Sequence, residues 1–269
     1  MEKKEAVRVE LISKGQFYPE PFNFSTVSMV EMDTGHQDIL ASELNIQKNI
    51  QFDLLLRELI LFPPEWSSKQ RTEYIDTLFT GDRIYLLLAA RINGYGELYE
   101  AAATCPQCGH EKHLIDLTQL ETNEVSIKSV SEGQNVFRFE LEERETKSIE
   151  KTHGFSVRHI DFKFLSTQET RKYANEVLRR KREQQDENPI TTRLAFSIVG
   201  VEGQTMENYS ERFKFVKKLK PFITRRLLQY INNNEPMVKS NYDFICANCK
   251  NNFKADFGLE IVQLFFDFA

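Results

Sequence analysis

No apolar run in the 269 residues approaches the ~18 needed to cross a bilayer, and the opening "MEKKEAVRVE" lacks the apolar core of a signal peptide. A protein made and kept in the cytosol is therefore expected. Basic charge is not in excess either. With 35 Lys and Arg against 40 Asp and Glu, the net charge of −5 argues against a polyanion as default partner unless the cations are segregated. There is no phosphate-cradling Gly-rich loop, no HExxH, no GxSxG and no nucleophile set beside a base, so an enzyme is not expected. Cysteine is scarce, at four residues. What is plentiful is apolar: 41% hydrophobic content and 21 Phe exclude a disordered chain and can fill one large domain or two modest ones.

The four cysteines form two pairs, Cys105 with Cys108 in "TCPQCGHEKH" and Cys246 with Cys249 in "ICANCKNNFK". A reducing cytosol turns CxxC toward metal or redox chemistry rather than disulfides. A redox pair sits where a strand feeds a helix, whose N-terminus stabilises a thiolate. Here each pair is flanked by strand-like stretches, "YEAAAT" and "KHLIDL" around the first, "NYDFI" and "KNNFKADF" around the second. Two extended hairpins each offering CxxC are what a tetrahedral zinc ribbon needs, so Zn2+ is the expected cofactor. The alternative is two unrelated pairs of free thiols. Between Cys108 and Cys246 lie 137 residues, so one ion would clamp the start of an inserted module to its end. His110 and His113 are rival ligands by proximity, but four thiolates complete the shell and leave both as surface histidines. A closed shell has no open position for water or substrate, which makes the metal a staple and not a catalyst.

Four stretches follow from the remaining pattern. Residues 1–104 read as an N-terminal portion, with strands and turns to about residue 40, a buried helix over 50–61 stopped by Pro63-Pro64, and a second over 81–92 before Gly94 and Gly96. Residues 105–120 with 241–258 form the zinc ribbon. Residues 121–240 form a mixed, mainly helical insert: strands in "NVFRFELEER" and "FSVRHIDFKFL", then a capping box at Ser166 and Glu169 opening a charged helix to about 183. Pro189 opens the helix "ITTRLAFSIVG", and "YSERFKFVKKL" and "FITRRLLQYINNN" follow. Residues 259–269 are an apolar tail. The fold class is α+β, strands and knuckles flanking the insert.

Other candidates carry weaker signals. Asp82-Arg83 at the first turn of an apolar helix reads as an N-terminal charge and a structural salt bridge, and Asp116, Asp161 and Asp243 as solvated faces or turn partners. Basic residues concentrate in "LRRKR" at 178–182 and from Arg212 to Arg226; net acidity favours helix faces that meet water or an acidic protein, with Lys217 and Lys218 as candidate partner contacts. In the tail, Leu259, Val262 and Phe266 would share the core face, leaving Phe265 and Phe268 for another surface; Phe265, Phe266 and Phe268 are therefore partner-contact candidates.

Taken in order, "VELISKGQFYPE", "GDRIYLLLAARINGYGELYE", "CPQCGHEKHLIDL", "TTRLAFSIVGVEG", "FKFVKKLKPF" and "CANC" give an arrangement that resembles the T-even-type phage baseplate hub family over nearly the whole chain. The resemblance implies a non-enzymatic subunit of a contractile-tail baseplate, present in the virion tail or acting in the host cytoplasm during assembly. Its partners would be other hub or wedge proteins, with no nucleic acid, membrane span or small-molecule substrate. The competing readings are an assembly chaperone absent from the finished particle and a zinc-ribbon nucleic-acid-binding protein.

Overall fold

The first strand pair rests on alternation: Val7 and Val9 in β1 (Ala6–Glu10) pair antiparallel with Met29 and Val27 in β2 (Thr26–Val30). The computed structural model describes residues 6–259 and 261–266. The region read as strands and turns ends in helix: α1 (Thr34–Ala41) opens on a capping box between Asp33 and His36, and α2 (Glu43–Gln47) is capped by Ser42. Next, α3 (Gln51–Leu59) buries Phe52, Leu55, Leu56 and Leu59, the three-and-four spacing of one helical face. A polar helix, α4 (Ser68–Thr77), was not legible from apolar periodicity; its start is set by a Ser67–Gln70 capping box.

The long helix α5 (Thr80–Tyr95) runs through the centre and includes Gly94, which does not break it; Gly96, at φ 86°, ends it. Its first turn lies so close to the backbone at Pro236 that a Cβ on Gly81 would meet the Pro236 carbonyl oxygen at 1.7 Å. Two strands, β3 (Leu98–Ala102) and β4 (Lys112–Asp116), then form the first hairpin. After the short β5 (Thr122–Asn123), the strand β6 (Phe137–Glu140) stops before "LEER". Glu142 and Glu145 instead make the capping box of α6 (Glu143–His153), which Gly154 closes in the left-handed conformation.

The strand β7 (His159–Phe162) leads to α7 (Thr167–Arg182), opened by the expected Ser166–Glu169 box. Pro189 starts α8 (Pro189–Ser197), but the following "IVGV" is a strand, β8 (Ile198–Val201), because β-branched Ile198 and Val199 take their place on the sheet. It turns into β9 (Gln204–Thr205), and the four strands β6-β7-β8-β9 form one antiparallel sheet. Then come α9 (Tyr209–Lys218), α10 (Pro221–Asn234), β10 (Met237–Val238) paired with β5, the second hairpin β11 (Asn241–Ile245) with β12 (Asn252–Asp256), and α11 (Ile261–Phe266). Helix makes up 45% and strand 20%, with every strand pair antiparallel, which is an α+β fold. Buried apolar side chains form one contiguous cluster from Val9 to Phe265, with Phe137, Phe162 and Phe164 fully enclosed at its centre.

Candidate metal centre

Each cysteine pair sits in the turn between two five-residue strands of one hairpin, and the two turns have the same wiring. The Cys105 amide donates to His110 O at 2.8 Å and the Gly109 amide to Cys105 O at 3.0 Å; the Cys246 amide donates to Asn251 O at 2.9 Å and the Lys250 amide to Cys246 O at 3.0 Å. Both turns need a left-handed residue directly after the second cysteine. Gly109 takes it at φ 74°, and Lys250 takes it at φ 60° despite its Cβ.

The turns face one another. Cys105 Sγ lies 3.7 Å from Cys249 Sγ and Cys108 Sγ 3.5 Å from Cys246 Sγ, and all four sulfurs fall within 4.8 Å of one another. Bonded sulfurs would be about 2.05 Å apart. Four sulfurs around an ion at about 2.3 Å, in a tetrahedron, stand about 3.8 Å apart, so the cluster fits a single four-coordinate metal ion. Desolvation opposes ionisation of Cys105, but the amides of Cys108 and Gln107 and then the thiols of Cys246 and Cys249 outweigh it and bring the thiol down to about 6. For Cys249 the amide of Asn251 favours the thiolate, but desolvation and then the thiols of Cys108, Cys246 and Cys105 outweigh it and push the thiol up to about 12.

Neither histidine joins the sulfurs. His113 is buried, not a surface residue: its ring wedges between the hairpins, 5.5 Å from Phe244 and 5.3 Å from Phe253, with Nε2 placed to donate to His110 O at 3.2 Å. It packs the two hairpins together behind the cluster. Arg91 of α5 caps its own helix by donating to Gly96 O at 2.8 Å, reaches the start of β3 at Leu98 O at 3.4 Å and ties in α11 through Leu264 O at 2.7 Å.

The other sequence candidates scatter. Asp82 and Arg83 are not partners. Arg83 pairs with Asp53 at 2.8 Å, whereas Asp82 is enclosed and accepts from the Ser13 amide at 3.1 Å, the Ser13 hydroxyl and the Tyr18 hydroxyl at 2.5 Å. Burial raises the Asp82 carboxyl above its ordinary range, and these hydrogen bonds pull it part of the way back. Asp116 caps a turn through the Thr118 amide, as expected, and Asp243 is exposed beside Lys254. Asp161 is not a solvated face; it is buried in the β6-β7-β8 sheet and takes a two-pronged contact from Arg138, at 2.9 and 3.3 Å.

In the 178–182 cluster, Arg179 and Arg180 are spent on Glu176 within their own helix, while Lys217 and Lys218 stand exposed at the end of α9. The tail corrects the expected face: Phe265, 2% exposed, packs against Phe52 and Tyr95, while Val262 is 51% exposed. The six-residue helix lies on α5 with Leu264 and Phe265 inward, so Phe265 is not offered to a partner; Phe266 is half-buried against the same core. Phe268 lies outside the described residues. Ser13, Tyr18 and Arg91 escaped the sequence reading. Their partners are remote in sequence, and only the Ser-Lys-Gly turn hinted at one of them.

Residues 64–267 match the family model described as T4 bacteriophage base plate protein. No curated protein and no solved structure matches the chain. The matched span takes in both hairpins, all four cysteines, α5 with its buried Asp82 and the central sheet. With the match reaching across residues 64–267 of 269, the chain belongs to the T4-type bacteriophage baseplate protein family, which gives it a structural role in the phage tail baseplate.

Proposed function

We propose that the chain is a non-enzymatic structural or assembly subunit of the baseplate hub of a contractile tail, stapled by one structural zinc on Cys105, Cys108, Cys246 and Cys249. The observation that carries the reading is the four-thiol cluster: it joins two hairpins 138 positions apart in a member of a baseplate family. All-thiolate donors suit a tetrahedral, redox-silent ion such as Zn2+, and a shell filled by protein leaves no position for a reacting water. The ion would clamp residues 105–120 to 241–258 and so fix the two ends of the 121–240 stretch, holding its surfaces in one orientation toward neighbouring baseplate proteins. Subunits of a machine that transmits force need such orientation more than chemistry.

Metal analysis of reduced protein purified without chelator is expected to give one zinc per chain, and Cys246→Ser to lose it. Protein that is folded, reduced and free of zinc would sink the staple. Quantifying the chain in purified tails and in assembly intermediates separates a retained subunit from a chaperone that leaves: presence in both supports the first, presence only in intermediates the second.

A further inference from the structure

We infer that the corner formed by α9 and the start of α10 is a docking surface for an acidic face of a neighbouring baseplate protein, an inference that rests on the baseplate reading above. The charge is local. Between Tyr209 and Arg226 the sequence places seven Lys or Arg and a single Glu, in a chain whose net charge is −5. Arg212 and Arg226 are used internally, Arg212 on Met206 O at 3.0 Å and Arg226 on Glu145 at 2.7 Å. The remaining five, Lys214, Lys217, Lys218, Lys220 and Arg225, are exposed, and among the described residues none has an ion-pair partner. Lys214, Lys217 and Lys218 recur at three and four residues, so they form one stripe along α9, which Lys220 and Arg225 continue across the turn into α10.

Apolar groups border the stripe. Phe222, 36% exposed, carries the Arg144 guanidinium at 4.6 Å from its ring centre. Phe155, 47% exposed, meets the His153 ring at 5.8 Å, and His153 packs on Phe215 of α9 at 4.7 Å. Burial and then the charge of Lys218 hold His153 below its usual range, consistent with Lys218 lying over this edge.

Exposed rings with an arginine are what anchors a protein contact, and the lysines beside them suit its polar rim, where complementary charge orients. A nucleic acid would need a track. The second basic cluster, at 178–182, supplies little of one: Arg179 and Arg180 are held by Glu176 and Glu183, which leaves Lys181 and Arg182 exposed at the end of α7 without an ion-pair partner among the described residues. Five free cations on an acidic chain make an island, which matches a bounded acidic patch better than a continuous polyanion.

The test follows the full-length chain into contractile tails and their assembly intermediates. Lys217→Glu with Lys218→Glu is expected to keep the wild-type circular dichroism and metal content while falling at least tenfold in incorporation; Lys217→Gln with Lys218→Gln should fall less. Nuclease treatment of the wild-type intermediates should leave the chain in place. Incorporation of the charge-reversed variant at the wild-type level would overturn the docking surface while leaving the baseplate role standing, and nuclease release of the wild-type chain would replace the protein partner with a nucleic acid. A wild-type chain missing from both tails and intermediates would remove the baseplate role, and the docking surface with it.

Discussion

Three consecutive residues, Gly81, Asp82 and Arg83, each meet a different part of the chain. Gly81 lets α5 touch the backbone at Pro236, Arg83 binds Asp53 of α3, and Asp82 fastens the Ser13–Tyr18 turn, whose Tyr18 hydroxyl in turn accepts from the Phe79 amide at 2.9 Å. All groups facing Asp82 are donors, so an amide in its place would set an NH2 against one of them. Asp82→Asn is expected to cost about 1–3 kcal/mol at neutral pH, measured by denaturant unfolding. The pH dependence has a definite sign. A carboxyl whose folded pKa is raised makes the fold lose stability as pH climbs from the unfolded value toward the folded one, and the loss is constant above that window. Asp82→Asn should therefore lack the component of declining stability that sets in at the ordinary carboxylate value and runs up to the raised one; an unchanged profile would show that Asp82 is ionised without penalty. Lys250 offers the opposite case. It is exposed and left-handed where the matching turn uses Gly109, so Lys250→Gly removes strain without removing packing and should gain about 0.5–1 kcal/mol in the metal-loaded protein. A loss would mean that the lysine side chain serves the turn.

At the scale of elements, the tail helix shows how far six residues can reach. Phe265 fills the space between Phe52 of α3 and Tyr95 of α5, and Arg91 ties the Leu264 carbonyl to the end of α5. Phe265→Ala should therefore destabilise the chain by about 3–5 kcal/mol in thermal or denaturant melts, the usual cost of emptying an aromatic core site. A change below ~1 kcal/mol would mean that the tail contributes little in solution. From sequence the same aromatic cluster was visible, but its face was not, because a helix under two turns long shows no periodicity to choose between Val262 and Phe265. Elements with punctuation were legible for a physical reason: Ser166 with Glu169 and Pro189 are local stereochemistry, and α7 and α8 begin where those residues dictate. Polar α4 and α6 have little apolar stripe to read, and the β8 strand at the end of "AFSIVG" takes its form from pairing with β7, a partner some 40 residues away. The convergence of the cysteines was legible because two CxxC pairs between strand-like stretches have the spacing that could hold one metal ion, whereas the His113 wedge depends on how two distant hairpins lean together.

For the whole molecule, the question is how much of the fold a metal so placed must hold. In a small finger the ion supplies the folding energy, on the order of 10 kcal/mol, because there is almost no core. Here the hairpins rest on a contiguous apolar cluster of which only a part, Tyr99, Ala101, Ile115, Phe244 and Phe257 among them, belongs to the two ribbons. Leu55, Leu86, Phe137, Phe162 and Leu227 lie in the helices and the central sheet, outside both hairpins. Metal loss should therefore act locally. The four sulfurs would no longer be held within 4.8 Å, the two hairpins would part behind His113, and the helices and central sheet would persist. Hydrogen exchange after chelation under reducing conditions should show protection falling at least tenfold over residues 98–116 and 241–256, with α5 and β6-β7-β8 near their starting values. A uniform fall over the whole chain would mean that the ion carries the global stability, and unchanged protection in both hairpins would mean that His113, Phe244 and Phe253 hold the ribbon together without it.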